Sequence, residues 1–308
     1  MIKKYWFFLI VLSLSVVANA QLPNVVFGRL IRVDSFPSQY LGERKIDIWL
    51  PDSYDGVTPH AVLYMHDGQM LFDSTTTWNK KDWRVDETLH QLMREGKIRN
   101  TIVVGVWNGG ASRHVDYFPQ KPFESLPKAI QDTLYGKNRP GGASVFNSLR
   151  IRSDDYLKFL VKELKPYIDA KYRVQKDPAN TFVAGSSMGG LISMYAICEY
   201  PDVFGGAACL STHWPGIFTN HMNPIPDAFV AYLKKHLPDP ATHKLYFDHG
   251  TTTLDSLYAV HQQKVDAVMR GKKWTKRNWM SRVFPGTDHS ENAWADRLHI
   301  PMMFLLSK

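Results

Sequence analysis

The residues of this chain best spaced for chemistry are Gly185-Ser186-Ser187-Met188-Gly189-Gly190, which match the pattern G-x-S-x-G. A serine flanked in this way can occupy the apex of a sharp strand-to-helix turn, where its hydroxyl projects from the edge of a sheet. The N-terminus of the following helix then favours negative charge developing beside it. Glycine-rich turns of this type also cradle phosphates, but no lysine follows these glycines as a phosphate loop requires, and no acidic ribose reader is evident. The motif marks Ser187 as a nucleophile.

A serine hydroxyl is a weak nucleophile near neutral pH, so it needs a base, and the base needs an orienting acid. The acid expected is Asp255 in the loop GTTTLDSLY, just beyond the apolar run KLYFDHG. Asp248 is the alternative, but it lies inside that run, where an aspartate usually faces solvent or serves structural hydrogen bonds. The base expected is His289 in PGTDHSENAW, between the last strand and the last helix. His213, His243, His249 and His261 have no positional argument of that kind, and Asp288 is adjacent in sequence to His289, where side chains point apart.

Attack on a carbonyl also needs donors for the oxyanion. The backbone N–H of Met188 is one, and the N–H of Gln69 in His66-Asp67-Gly68-Gln69 is the other, with Gly68 letting the backbone turn inward. His66 and Asp67 are read as hydrogen-bonded pins of that loop. A metal role would need further spaced ligands, and there is no H-E-x-x-H.

These residues must be held by alternating strands and helices. Strands are expected at VVFGRLIRV and KIDIWLP, as an antiparallel start, then at AVLYMHDG, TIVVGVWNGG, TFVAG, VFGGAACLS, KLYFDHG and NWMSRVFPG. The continuous apolar runs suit strands covered on both faces. Helical spacing is found over Asp82 to Glu95, Asp154 to Asp169, LISMYAICEY, Asp255 to Arg270, and Ala293 to Leu306 with an interruption near Pro301. That rhythm predicts an α/β fold with a mostly parallel sheet. It breaks at about 111–149, where four prolines and two adjacent glycines predict a long irregular insert.

Residues 1–20 have the layout of a secretory signal peptide: Lys3 and Lys4, an apolar run from Tyr5 to Val17, then Ala18-Asn19-Ala20. The apolar run is shorter than the roughly 20 residues needed to cross a bilayer. The mature protein is expected to start at Gln21, as one domain over 21–308, exported to the periplasm or secreted, without stable membrane insertion. The formal charge of +8 is spread along the chain among acids, which gives no footprint for nucleic acid. Cys198 and Cys209 are too few for a disulfide scaffold, and free buried thiols or a single bridge both fit their apolar surroundings.

With these motifs in view, the chain resembles the esterase branch of the α/β hydrolases often named for esterase D, which includes feruloyl and acetyl esterases, enterochelin-type siderophore esterases and mycolyl transferases. The resemblance runs through VLYMHDGQMLFD, VVGVWNGG with Arg113 and Tyr117-Phe118-Pro119 after it, FVAGSSMGGLISMYAICEYPDVFGGAACLS, FDHGTTTLD and GTDHSENAW. It implies the α/β-hydrolase fold, with helices on both faces of the sheet, and places the family's triad on Ser187, Asp255 and His289. It also implies ester hydrolysis through an acyl-enzyme, with no metal or organic cofactor.

Substrate pockets in this fold are built from inserts, and the 111–149 segment matches no subgroup. Trp78, Trp83, Trp107 and Trp214 are placed near the expected site loops, and Trp78, Trp107 and Trp214 are the candidates for substrate contact. Export together with these aromatic residues favours an acetyl or feruloyl ester of a carbohydrate. A siderophore ester, transfer of the acyl group to a sugar hydroxyl, and glycan binding without catalysis are the alternatives.

Overall fold

The computed structural model describes residues 22–307, so the expected signal segment lies outside the described residues. Eight strands form one sheet: β1 (Arg29–Phe36), β2 (Arg44–Leu50), β3 (Ala61–His66), β4 (Thr101–Val106), β5 (Thr181–Ser186), β6 (Gly206–Leu210), β7 (Lys244–His249) and β8 (Trp279–Val283). Their spatial order is β1-β2-β4-β3-β5-β6-β7-β8. The β1–β2 and β2–β4 pairings are antiparallel and all others are parallel.

The central strands are buried along their whole length because both faces are covered. Successive side chains alternate between two cores. Val62, Tyr64, Ile102 and Val104 face one, and Leu63, Met65 and Val103 face the other. Helices α1 (Val85–Arg94), α10 (Glu291–Arg297) and α11 (His299–Leu306) close the second core. The first is closed by α5 (Ser153–Lys158), α6 (Lys165–Lys171), α7 (Met188–Glu199), α8 (Ile225–His236) and α9 (Ala259–Gly271). In α7 every residue from Met188 to Cys198 is buried, which fits a helix apolar on all sides.

Several elements differ from the sequence expectation. The 111–149 segment is not irregular throughout, since it folds into α2 (Arg113–Tyr117), α3 (Gln120–Glu124) and α4 (Lys128–Tyr135). The stretch before β7 holds α8, hidden by its prolines; Pro226 lies in the first turn, where a missing N–H costs nothing. The helix expected from Asp154 widens into a π segment at Phe159–Leu164. There Lys165 N–H reaches back to Leu160 O, and the wider turn makes room for Pro166, which has no N–H to give. The last helix is interrupted near Pro301 as expected, with the break at Leu298 and Pro301 in the first turn of α11. Cys198 and Cys209 are both buried free thiols, and burial pushes both pKa values up. Among the described residues no helix is long and apolar enough to cross a membrane.

Candidate active site

The site lies at the carboxyl ends of β3 to β8, where ligands bind in parallel α/β sheets. Strand β5 ends at Ser186 and α7 begins at Met188, leaving Ser187 alone to make the turn at φ 58° and ψ −120°. A side chain rarely adopts that conformation unless its surroundings hold it there. Ser187 N–H donates to Leu210 O at 2.9 Å, and Ser187 O accepts from Leu191 N at 3.1 Å and His213 N at 3.2 Å. Close backbone approach explains the flanking glycine: a Cβ on Gly185 would lie 2.8 Å from the carbonyl carbon of Gly189.

Asp255, in the 3-10 turn Thr253–Leu257, and His289, in the loop after β8, lie 34 residues apart in the chain and come together, with Nδ1 of His289 2.5 Å from Oδ1 of Asp255. Oδ2 of Asp255 accepts from Ser211 Oγ at 2.6 Å and Gly250 N at 2.5 Å. Burial raises the pKa of this carboxyl, but the partners on both oxygens outweigh burial and hold it below the usual range. Ser211 Oγ in turn accepts from Trp294 Nε1 and Arg297 Nη2, each at 2.9 Å. The His289 ring meets Trp294 edge to face, with centroids 5.0 Å apart. The Ser187 hydroxyl lies beside the buried Tyr258 phenol, whose oxygen is 2.8 Å from His213 Nδ1.

The loop after β3 is fixed from several sides. Asp67 sits at φ 58°, and its carboxylate receives Arg113 Nε and Nη2 and Asn108 Nδ2, all at 2.7 Å. Burial again opposes ionisation of Asp67, and the Arg113 charge and these hydrogen bonds override it. Buried His66 places Nδ1 2.8 Å from Tyr156 Oη, and burial lowers its pKa to about 3, so the ring is neutral. Gly68 presses on β4: a Cβ there would lie 2.5 Å from the Gly105 carbonyl carbon. Gln69 follows in a single 3-10 turn, and Met188 opens α7, where a first-turn N–H has no intrahelical acceptor.

Two cavities meet at Ser187. The larger, about 530 Å³, is lined by Ser187, His289, Gln69, Arg113, Trp78 and Trp294, among others. The smaller, about 410 Å³, also includes Ser187 and Arg113, and is walled by Met188, His114, Arg139, Asn147, His213, Phe218 and Leu254. Trp78 is 83 % exposed on the rim of the larger cavity. Trp107 and Trp214 line neither: Trp107 bonds Asp47 from beneath Arg32 and Lys45, and Trp214 is buried against Phe247 with Nε1 on Gln262. Trp83 lines the larger cavity but packs against Trp294 in the core.

Asp248 does not meet His289; it is buried in an ion pair with Arg297 and accepts from Ser211 N and Tyr246 Oη. His243 and His261 are bound to Pro201 O and Asn220 away from both cavities. Sequence reasoning missed Ser211, Trp294, Arg297 and Tyr258, which no local pattern marks because their roles depend on long-range packing. Among the described residues, no group of three or more His, Cys, Asp or Glu side chains is placed to hold a metal ion.

Comparison with known proteins agrees with this architecture. The family described as "Putative esterase" matches residues 38–301. The uncharacterized protein YbbA of Bacillus subtilis (strain 168) is 25% identical over 177 residues, 56% of this chain and 58% of its own. YjcH of the same organism is 21% identical over 220 residues, 71% of this chain and 72% of its own. A ferulic acid esterase structure superposes with a TM-score of 0.62 at 19% identity, covering 90% of this chain and 98% of that one. An IroE-like serine hydrolase from Shewanella oneidensis gives 0.64 at 19%, covering 90% and 79%. Enterochelin esterase from Shigella flexneri gives 0.63 at 17%, covering 92% of this chain but 59% of that one. The chain thus spans less than two thirds of YbbA and of that esterase, and at these identities the structures speak for the fold. With a match across most of its length and the sheet described above, the chain has the α/β-hydrolase fold and belongs to the "Putative esterase" family.

Proposed function

We propose that this chain is an exported serine esterase that hydrolyses the carboxylic ester of an acylated carbohydrate through an acyl-enzyme. The observation that carries the reading is that His289, bonded to the buried Asp255, lines the same cavity as Ser187, itself held on a strained turn. In this mechanism Asp255 fixes the proton on Nδ1 of His289, which leaves Nε2 as the base. As the Ser187 oxygen attacks the ester carbonyl, its proton passes to Nε2. The amides of Met188 and Gln69 take the oxyanion. Collapse of the tetrahedral intermediate expels the alcohol, which receives the proton from His289. Water then attacks the acyl-enzyme with His289 again as base, releasing the acid and restoring Ser187.

The leaving alcohol must take its proton from His289, so the sugar belongs in the larger cavity, where Trp78 offers an exposed ring on the rim. Export rests on the signal layout of residues 1–20. The test is turnover of 4-nitrophenyl acetate and butyrate, methyl ferulate and acetylated xylan by the purified chain and its Ser187→Ala variant. Loss of roughly four or more powers of ten in kcat, with the variant still folded, supports the nucleophile. Equal activity in both proteins overturns it.

A further inference from the structure

We propose that the smaller cavity is an acyl pocket for acids carrying a second, anionic group, which Arg139 binds. The inference rests on the esterase reading and narrows its acyl group, away from acetyl and feruloyl, to one with a carboxylate on its far end. His289 lines only the larger cavity, so the leaving alcohol goes there and the acyl chain falls to the other side of Ser187.

That side is charged in one sense. Among the described residues, no aspartate or glutamate lines it. The Arg113 charge is neutralised by the bidentate pair with Asp67. His114 is neutral, its pKa lowered to about 3 by burial and by the nearby arginines, and burial also pushes the His213 pKa well down. Arg139 alone adds an uncompensated positive charge, and among the described residues it has no ion-pair partner. Among the described residues its guanidinium donates only from Nη2, to Val145 O at 3.2 Å, and its buried Nε meets no partner. A planar fork with unused N–H groups suits a carboxylate.

The pocket is also braced for this task. Arg139 stands on a tight hairpin, with Arg139 N–H on Ala143 O at 2.7 Å and Asn138 bridged to Ser144. The guanidinium lies over the Phe218 ring, 5.7 Å from its centroid. Phe218 and Leu254 supply apolar wall for methylenes between the ester and the charge. Asn147 Nδ2 ties the returning chain to Ala111 O at 2.7 Å, joining two segments of the cavity wall.

The experiment compares 4-methylumbelliferyl half-esters of succinic, glutaric and adipic acids with methyl-ended esters of equal chain length, subtracting spontaneous hydrolysis. The wild type should prefer at least one half-ester by tenfold or more in kcat/KM, and the preference should shrink as ionic strength rises. Arg139→Met should lower the ratio of half-ester to neutral kcat/KM by tenfold or more, and Arg139→Lys by less. No wild-type preference, or a ratio unmoved by Arg139→Met, overturns the proposal while leaving the esterase intact. Should Arg139→Met fail to fold, the wild-type ratio and the Lys variant still decide. Absence of Ser187-dependent turnover of every ester, neutral ones included, overturns the esterase reading itself and this one with it.

Discussion

Asp255 meets His289 through one carboxylate oxygen at 2.5 Å, while its other oxygen is gripped by Ser211 and the Gly250 amide. The carboxylate therefore cannot rotate away without breaking two bonds behind it. Trp294 and Arg297 both donate to that same Ser211 oxygen, so the support reaches into the second core. In the proposed mechanism this fixes the imidazole tautomer as well as its position.

Asp255→Asn tests that role with little change of shape. An amide presents its NH₂ to His289 Nδ1 or loses the contact, so Nε2 carries the proton and cannot serve as base. The expected loss is about a thousandfold or more in kcat, with KM changed far less. Steady-state kinetics on 4-nitrophenyl butyrate, with far-UV circular dichroism to confirm folding, decide it. A loss below tenfold would remove Asp255 from the mechanism.

The elbow makes a steric prediction. In Gly185→Ala the new methyl would stand 2.8 Å from the Gly189 backbone, and in Gly68→Ala 2.5 Å from that of Gly105. Neither obstacle is a flexible side-chain tip, so main chain must move. Both variants should lose ~2 kcal/mol or more of stability, in the range for overpacked sites. Those that fold should lose activity because the serine turn or the Gln69 amide is displaced. Urea unfolding midpoints near wild type in both would contradict the close packing.

Much of the architecture was readable because the signals are local. The strand-to-helix turn at Ser187 is marked by glycine spacing, and strands such as Ala61–His66 by continuous apolar runs between turn residues. In sequence Asp255 is favoured over Asp248 by its place beyond the β7 run; in the structure Asp255 bonds His289 from the 3-10 turn Thr253–Leu257, while Asp248, inside β7, is paired to Arg297. What escaped was set by distant partners. Trp107 and Trp214 look alike as candidates in sequence, yet one is held by Asp47 and the other by Gln262, contacts no spacing rule encodes. Helix α8 was masked by prolines that its first turn tolerates.

Asp67 is expected to matter through position. Its ion pair with Arg113 and bond to Asn108 hold the backbone just ahead of Gln69. Asp67→Asn leaves the Arg113 charge without a partner. Since that side chain is 31% exposed, the cost should be ~2 kcal/mol, below that of breaking a fully buried pair. Displacement of the Gln69 amide should lower kcat more than it raises KM. A variant with unchanged kcat and a lower melting temperature would limit Asp67 to stability.

Stability should also depend on pH in two separate windows. Asp67 and Asp255 have folded pKa values below the ordinary one, so the stability they add is present above about pH 4 and is lost as pH falls below it. Asp86 behaves in the opposite sense. Burial first, then the neighbouring Glu87, raises its pKa to about 7, against the pull of the Val26 and Phe27 amides that it accepts. The folded chain thus holds a proton that the unfolded chain has released. Its contribution is fully present below about pH 4 and fades as pH rises toward 7. Asp86→Asn keeps an acceptor for the two amides and removes the titration. Urea unfolding at pH 5 and pH 8 should show the wild type losing stability across that interval, with a flatter profile and higher stability at pH 8 for the variant. An equal slope in both proteins would mean that Asp86 is not the group being titrated.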